Sequence, residues 1–343
     1  MAGVGWAVVT RESYTGGDDG PSPSPSRTLV TMRIAAIQMS SEPDVATNLA
    51  TIRAAVTDAA GHGADLVVFP EAAMFPFDAG RLDVIAQPLD GLFATAVKNL
   101  AVEHDVTVVV GMFTPADTVY RHPGGELTTE PMAGAGEANR FRRVNNTLLI
   151  TGPHGTDHYN KIHTFDAFGY RESDTVRPGT RRVVYEIDGV TIGLATCYDI
   201  RFPAHFYALA KAGATVMVVP TSWTDGPGKL GQWRTLTAAR ALDTTSYLVA
   251  AAQARPGSPD RYGINDGPTG IGHSTVIGPD GARLAETGYV PQVLLVDIDP
   301  NRVDKVRKGL PVLVGHDRDL EVSGVDLRKF GAQALGAVTP APQ

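Results

Sequence analysis

The chain has 343 residues, of which 43% are hydrophobic, and its 37 Asp and Glu against 30 Lys and Arg give a formal net charge of −7. This balance argues against a general affinity for nucleic acid or for anionic membranes. The one cysteine excludes an intrachain disulfide and a cysteine-rich metal site. Because no apolar run reaches the roughly 18 residues that span a bilayer, and no secretory signal is evident, we expect a soluble, cytoplasmic protein.

The two ends of the chain differ in composition from the region between them. A tract of Pro, Gly and Ser at 16–26 has too little apolar surface to offset the entropy lost on ordering, so residues 1–31 are predicted to be a disordered tail. Residues 331–343 are rich in Ala and Pro and are predicted to be a loose tail. No linker divides 32–330, which we interpret as a single domain.

Between the ends, short apolar runs rich in β-branched residues alternate with helical patterns. Strands are predicted at 33–38, 66–69, 106–110, 147–150, 190–195, 215–219, 247–251 and 293–296, and helices at 44–61, 91–104, 203–213, 229–243 and 300–309. Continuous apolar strands separated by helices favour an α/β fold whose sheets are covered by helices on at least one face. The segment 120–140 is predicted to be a long surface loop.

Nucleotide and metal motifs give no positive signal. The stretch Gly226-Pro-Gly-Lys-Leu-Gly231 has the spacing of a dinucleotide-binding loop, but a polar segment separates it from the preceding strand. We interpret it as a flexible loop. The nine His include no His-Glu-x-x-His and no tight pair with a carboxylate at ligand spacing. The sequence therefore predicts neither a cofactor nor a bound metal.

Polar residues follow several of the predicted strands. Glu71, Cys197 and Thr221 each come shortly after a strand, and Lys161 follows a turn at 152–156. In open α/β sheets, catalytic groups gather beyond the carboxyl ends of strands. Each residue also has a simpler interpretation: Cys197 as a buried small hydrophobe, Glu71 as a solvated loop carboxylate and Lys161 as a surface amine. Taken separately, none of them identifies an enzyme.

The setting of Cys197 favours a reactive thiol. Arg201-Phe-Pro203 after it suggests a turn from strand into helix, with Pro203 in the first helical turn. Backbone N–H groups at the start of a helix would stabilise a thiolate. We therefore expect a lowered thiol pKa if Cys197 is a nucleophile.

Three blocks taken together resemble a known family. The segments Phe69-Pro-Glu-Ala-Ala73, Tyr159-Asn-Lys-Ile-His-Thr-Phe-Asp166 and Cys197-Tyr-Asp-Ile-Arg-Phe-Pro203 closely resemble, in the same order, the signature segments of the nitrilase superfamily of carbon–nitrogen hydrolases. The resemblance extends over residues 32–322. It implies an α/β fold of the αββα sandwich type, with two β-sheets flanked by helices.

On the matching positions, the resemblance implies a catalytic centre of Glu71, Lys161 and Cys197, with Glu172 as a fourth, supporting residue. In such a centre, Cys197 attacks the substrate carbon while Glu71 carries the proton. Lys161 and the backbone N–H of Tyr198 would hold the oxyanion. The resemblance implies no cofactor, and it implies a homodimer or higher homo-oligomer.

The residues that follow Cys197 resemble the amidase branch that contains omega-amidase and deaminated-glutathione amidase, so we expect a small linear amide as substrate. Arg201 would contact a substrate carboxylate, or would tie the turn to a neighbouring carboxylate of the protein. Thr221 and Trp223 are candidate pocket residues, with simple packing as the alternative for Trp223. Hydrolysis of a nitrile or an N-carbamoyl compound by the same centre, and an inactive binding protein of the same fold, are the competing hypotheses.

Overall fold

The structure is a computed structural model, and its described residues are 5–9 (backbone only), 31–131, 139–267 and 270–315. The chain divides into two compact units, Met1–Leu313 and Val314–Gln343, and all sixteen described strands lie in the first. The predicted loose tail at 331–343 and the predicted domain end at residue 330 lie outside the described residues.

The described residues form sixteen β-strands, seven α-helices and several short 3₁₀ helices. The strands are β1 (Gly5–Val9), β2 (Met32–Gln38), β3 (Leu66–Val68), β4 (Thr107–Arg121), β5 (Leu127–Thr128), β6 (Arg140–Gly152), β7 (Gly155–Asn160), β8 (Asp166–Ala167), β9 (Tyr170–Arg171), β10 (Val184–Ile187), β11 (Val190–Leu194), β12 (Val216–Val218), β13 (Tyr247–Ala250), β14 (Thr275–Ile277), β15 (Arg283–Glu286) and β16 (Gln292–Ile298). The helices are α1 (Val45–Gly61), α2 (Leu82–Ile85), α3 (Leu92–Glu103), α4 (Pro203–Lys211), α5 (Lys229–Thr244), α6 (Asn301–Gly309) and α7 (Val312–Gly315), with 3₁₀ helices at Glu172–Asp174, Cys197–Arg201 and Pro259–Arg261.

The first sheet has eight strands in the order β1, β16, β2, β3, β4, β6 and β7, with β5 paired to β4. Strands β2, β3 and β4 are parallel, and β16 and β6 flank them in the antiparallel direction. Strand β1 runs parallel to β16. The expectation of a disordered tail is therefore wrong for residues 5–9, while residues 1–4 and 10–30 lie outside the described part of the chain.

The second sheet contains β10 to β15 in sequence order. Its centre is again three parallel strands, β11, β12 and β13, with antiparallel neighbours β10 and β14 and the antiparallel edge strand β15. Strands β8 and β9 form a separate two-stranded hairpin. The carboxyl ends of the parallel strands in each sheet thus point to a common edge, which is where such sheets place reactive groups.

The core has three layers, because successive side chains of a strand point to opposite faces of its sheet. Ile34 and Val216 belong to one buried cluster that fills the space between the two sheets. On the outer face of the first sheet, Val67 packs in a cluster with α1 and α3. On the outer face of the second, Leu248 packs in a cluster with α4 and α5. The predicted αββα sandwich is confirmed.

Helix α1 shows why the helical segments could be predicted. The Asp44 carboxylate accepts a hydrogen bond from the Thr47 backbone N–H at 2.8 Å and caps the first turn. Ile52, Val56 and Ala59 recur at helical spacing and are fully buried. All five predicted helices are present, with ends within two residues of the predicted ones.

The eight predicted strands are also present, but β4 and β6 are longer than their apolar runs. Strand β4 continues to Arg121, and β5 pairs with its last residues. The predicted surface loop over 120–140 is therefore wrong at its beginning, and residues 132–138 lie outside the described residues. Polar residues continue these strands because backbone pairing, not side-chain polarity, decides where a ladder ends.

Two kinds of feature are absent from the described residues. None of the helices there combines the length and the apolar character that crossing a membrane requires. Within the same ranges, no group of three or more His, Cys, Asp or Glu side chains is arranged to hold a metal ion.

Candidate active site

The four residues that the sequence predicted for the catalytic centre come from loops that follow strands. Glu71 lies three residues after β3, and Lys161 directly follows β7. Cys197 and Glu172 each begin a 3₁₀ helix, after β11 and β9 respectively. All four are buried: the exposed fractions are 1% for Glu71, 2% for Lys161, 3% for Glu172 and 9% for Cys197. Cys197 is thus the member of the set that is most open to solvent.

Lys161 joins the two glutamates into one buried network. Its Nζ donates to Glu71 Oε1 at 3.0 Å and to Glu172 Oε1 and Oε2 at 3.1 and 2.9 Å. Burial by itself would lower the pKa of Lys161, but the charges of Glu172 and Glu71 raise that pKa well above its usual value. Lys161 is therefore a fixed ammonium at neutral pH.

Asn146 belongs to this network and was missed by the sequence analysis. Its Nδ2 donates to Glu71 Oε1 at 2.7 Å and to Glu172 Oε1 at 3.3 Å. The backbone carbonyl oxygen of Asn146 accepts from the backbone N–H of Lys161 at 2.9 Å. The signal was the Asn-Asn pair directly before the apolar run at 147–150, a polar pair that the structure places inside β6.

The turn that carries Glu71 is held close to β4. The backbone N–H of Gly111 donates to the Pro70 carbonyl at 3.2 Å. A Cβ at Gly111 would lie 2.6 Å from that carbonyl oxygen and 2.7 Å from the Ala72 nitrogen, so only glycine fits. The backbone N–H of Ser222 donates to Glu71 Oε2 at 2.8 Å. This hydrogen bond fixes the carboxylate oxygen that accepts from neither Lys161 nor Asn146.

Cys197 occupies a strained turn between β11 and the following 3₁₀ helix. Its φ of 45° lies in the left-handed region, which a residue with a side chain seldom adopts, and such outliers concentrate at functional sites. Burial raises the pKa of the Cys197 thiol, the charge of Glu71 raises it further, and Lys161 and the Thr221 hydroxyl oppose this only in part. The expected lowering by backbone donors is thus wrong, because burial is the larger effect. The resting group is a neutral thiol.

A third buried carboxylate, Asp199, supports the turn that carries Cys197. Its Oδ2 accepts from the Tyr159 hydroxyl at 2.7 Å and from the Thr196 backbone N–H at 2.8 Å. Its Oδ1 accepts from the His163 backbone N–H at 2.9 Å and lies 2.7 Å from His163 Nδ1. Because Tyr159 and His163 flank Lys161 in the sequence, Asp199 ties the Lys161 segment to the Cys197 turn.

We expect Asp199→Asn to lower the unfolding free energy by about 2–4 kcal/mol at pH 7, because an amide cannot accept from all of these donors. Burial alone would raise the pKa of Asp199, but hydrogen bonds from His163 and Tyr159 lower it below the usual 3.8. A lowered pKa gives stability that is complete above about pH 3.9 and is lost as the pH falls below it. Urea unfolding of both proteins at pH 7, 5 and 3 should therefore show the difference shrinking in acid.

The exposed carboxylate Asp78 offers a matched control for this comparison. Asp78→Asn removes the same charge from the surface and should leave the unfolding curve close to that of the wild type. A difference between wild type and Asp199→Asn that is the same at all three pH values would contradict the role assigned to the carboxylate.

The residues predicted to face the substrate lie around Cys197. Tyr198 follows it in the 3₁₀ helix, and Thr221 is fully buried next to the thiol. The Arg201 guanidinium stands 5.1 Å from the centre of the Trp223 ring and donates to the Gln232 amide at 2.7 Å. Trp223 is 5% exposed and also contacts the Trp233 ring, so packing accounts for much of its surface.

Comparison with known proteins decides the family. The family model described as carbon-nitrogen hydrolase matches residues 33–308. This chain belongs to the carbon–nitrogen hydrolase family of the nitrilase superfamily.

Similar nitrilase-superfamily proteins support the assignment. A protein of Mycobacterium tuberculosis described as a hydrolase is 44% identical over 290 residues, covering 82% of this chain and 94% of its own length. The deaminated glutathione amidase of Escherichia coli O157:H7 is 33% identical over 261 residues, covering 75% and 87%. The crystal structure of Saccharomyces cerevisiae Nit3, a member of branch 10 of the superfamily, matches with a TM-score of 0.65 and 25% identity over 84% of this chain and 98% of its own.

The buried groups of this nitrilase-superfamily hydrolase define what its centre can do. The Cys197 thiol is a nucleophile, and the Glu71 carboxylate, which raises the pKa of that thiol, is a proton acceptor. The Lys161 ammonium, held between Glu71 and Glu172, is a source of positive charge. Those are the three parts that acyl transfer from nitrogen requires. The residues that sequence analysis missed, Asn146 and Asp199, hold these parts in place.

Proposed function

We propose that the chain hydrolyses a carbon–nitrogen bond of a small linear amide without a cofactor, through a thioester on Cys197 and with release of ammonia. The observation that carries this proposal is the buried network in which Lys161 Nζ donates to Glu71 Oε1 at 3.0 Å and to Glu172 Oε2 at 2.9 Å, close to the buried Cys197 thiol. The similarity to a deaminated glutathione amidase supports an amide over a nitrile or an N-carbamoyl compound.

In the proposed reaction, the Cys197 sulfur attacks the amide carbonyl carbon while Glu71 accepts the thiol proton. A base is needed because the raised pKa keeps the resting thiol protonated. When the carbon–nitrogen bond breaks, Glu71 returns the proton to the departing nitrogen, which leaves as ammonia. A water molecule then gives a proton to Glu71 and attacks the thioester carbonyl, which releases the carboxylic acid and restores the thiol.

Positive charge stabilises the oxygen that becomes negative during both attacks. We assign this role to the Lys161 ammonium and to the backbone N–H of Tyr198, the residue next to the nucleophile. Glu172 orients the ammonium, since both of its oxygens accept from Lys161 Nζ. The backbone N–H of Phe165 fixes Glu172 in turn, at 2.6 Å from Oε2.

Arg201, Thr221 and Trp223 are proposed to form the substrate side of the site. The contacts of Arg201 are to the Gln232 amide and to aromatic rings, and in the described residues no carboxylate forms an ion pair with it. This favours recognition of a substrate carboxylate over a structural ion pair with the protein. A small amide that carries a carboxylate is therefore the proposed substrate.

Two further properties stay proposals that rest on the family and on composition. We propose a homodimer or higher homo-oligomer that works in the cytoplasm. With a formal net charge of −7, we propose neither nucleic acid nor membrane as a partner.

Ammonia release from a substrate panel tests the proposed function. The wild type and Cys197→Ala would be offered carboxylate-bearing amides, neutral amides, N-carbamoyl compounds and nitriles. We expect the wild type to release ammonia from amides and the variant to retain less than about 10⁻³ of that rate, because no other thiol is present. Turnover of nitriles or N-carbamoyl compounds alone would replace the amidase assignment, and silence across the panel would favour an inactive binding protein.

A further inference from the structure

We propose that Lys229 and Arg201 form a two-cation rim above Cys197 that binds a carboxylate of the substrate, so that Lys229 determines specificity for anionic amides. The rim is defined by five residues: Tyr198, Arg201, Phe165, Phe168 and Lys229. This inference rests on the proposed function of Cys197, but its recognition step can be measured without hydrolysis.

The five residues of the rim form a continuous series of contacts. The Arg201 guanidinium lies 5.9 Å from the centre of the Tyr198 ring, and that ring lies 5.0 Å from the Phe165 ring. The Phe165 and Phe168 rings are 6.2 Å apart, and Lys229 Nζ lies 4.6 Å from the centre of the Phe168 ring. Two cations therefore stand at the two ends of an aromatic series.

Helix α5 connects the two ends of that series. Lys229 is the first residue of α5, and Gln232, which accepts the hydrogen bond from Arg201 at 2.7 Å, is three residues further on. Residues three apart lie on the same face of a helix. Lys229 and Gln232, the partner of Arg201, therefore lie on one face of α5. Through this helix, Lys229 and Arg201 are connected a second time, in addition to the aromatic series.

The rim is built directly onto the catalytic centre. Tyr198 adjoins Cys197, and the backbone N–H of Phe165 holds Glu172. Among the four central residues, Cys197 is the most exposed at 9%, and Phe168 of the rim is 84% exposed. The rim thus connects the buried centre to the protein surface.

The charges of the rim have no counter-ion within the described residues. Neither Arg201 nor Lys229 forms an ion pair with Asp or Glu there; their contacts are an amide and aromatic rings. Partial burial lowers the pKa of Lys229, and the charge of Arg201 lowers it further. Two cations that repel each other beside a nucleophile are stabilised by a bound anion. A carboxylate on the substrate is such an anion.

Succinamate and butanamide provide a matched pair of substrates, because a methyl group replaces the carboxylate. We expect Lys229→Gln to lower the ratio of their kcat/KM values by about tenfold, as the loss of a charge-assisted hydrogen bond predicts. Lys229→Arg should keep the ratio within about threefold of the wild type, since the charge is retained. Arg201→Lys should raise KM mainly for succinamate. Lys305→Gln, an exposed residue of α6, is the control for net charge.

Alkylation of Cys197 measures the same recognition without any hydrolysis. The chain has one cysteine, so uptake of iodoacetate or iodoacetamide reports on that sulfur alone, which displaces iodide as the thiol proton leaves. We expect Lys229→Gln to lower the iodoacetate-to-iodoacetamide rate ratio by about tenfold, and Lys305→Gln to leave it unchanged. Circular dichroism would confirm that each variant is folded.

The results of these experiments distinguish a failure of the rim hypothesis from a failure of the proposed function. An alkylation ratio in Lys229→Gln equal to that of the wild type would overturn the role of Lys229, even if Cys197-dependent amide hydrolysis is observed. If no amide is hydrolysed, the proposed function fails, and the alkylation ratio alone still decides whether the rim binds anions. If Lys229→Gln does not fold, the ratio in Lys229→Met provides the same decision.

Discussion

Replacing Lys161 with Met is expected to slow amide hydrolysis by about 10²–10³ and to lower the unfolding free energy by about 3–5 kcal/mol. Lys161 is 2% exposed and bridges Glu71 and Glu172, so its loss leaves two buried carboxylates without a cation. Two carboxylates that lie close together without a cation between them repel each other, which costs free energy. Urea unfolding of the wild type and the variant at pH 8 measures this loss of stability.

A double variant separates the two effects of this change. Lys161→Met combined with Glu172→Gln removes the second charge together with the cation. It should recover much of the lost stability at pH 8 while hydrolysis stays low, because the positive charge at the oxyanion is still missing. A double variant that is no more stable than Lys161→Met would contradict the proposed repulsion.

Replacing Glu71 with Gln is expected to move two rates in opposite directions. Amide hydrolysis should fall by about 10²–10⁴, because an amide cannot carry the proton between sulfur and nitrogen. Alkylation of Cys197 at pH 8 should become faster, because the Glu71 charge that raises the thiol pKa is gone and Lys161 is still present. Ammonia release and the rate of iodoacetamide uptake, measured on one preparation, check both parts.

The opposite signs provide an internal control for folding. All three neighbours of the Glu71 carboxylate donate hydrogen bonds, namely Asn146, Lys161 and the Ser222 backbone N–H. A glutamine there places its own donor against one of them, which should cost about 1–3 kcal/mol of unfolding free energy. If both rates fall by the same factor, the expected effect of the Glu71 charge on the pKa of the thiol is contradicted.

Local patterns were sufficient for the elements of this fold. The spacing of Ile52, Val56 and Ala59 predicted α1 because a helix buries one face, and this preference does not depend on the partner. Continuous apolar runs predicted the inner strands, since strands covered on both faces need apolar residues on both. The αββα arrangement came instead from the resemblance of the blocks around Glu71, Lys161 and Cys197 to the nitrilase superfamily, and the comparisons confirm the family and the fold.

The supporting contacts required the tertiary structure. Asn146 reaches Glu71 because β6 pairs with β4 and β7 in one register, in which Thr147 lies opposite Asn160. A shift of one residue would turn Asn146 away from the site, and no local pattern specifies that register. The protonation state of the resting Cys197 also depends on the tertiary structure. The backbone donors that the sequence suggested favour a thiolate, but burial of the sulfur opposes the thiolate more strongly.

By the resemblance of its blocks, the sequence determined the family and the three residue types that the chemistry needs. By local patterns, it predicted eight of the sixteen strands and five of the seven helices that the structure describes. Only the tertiary structure showed which groups surround the catalytic residues. Asp199 supports the Cys197 turn, and Lys229 lies at the opposite end of the rim from Arg201. The physical reason is that secondary structure follows from interactions between residues close in sequence. Charges and hydrogen bonds at the site join residues many positions apart, and their energies depend on burial that exists only after folding.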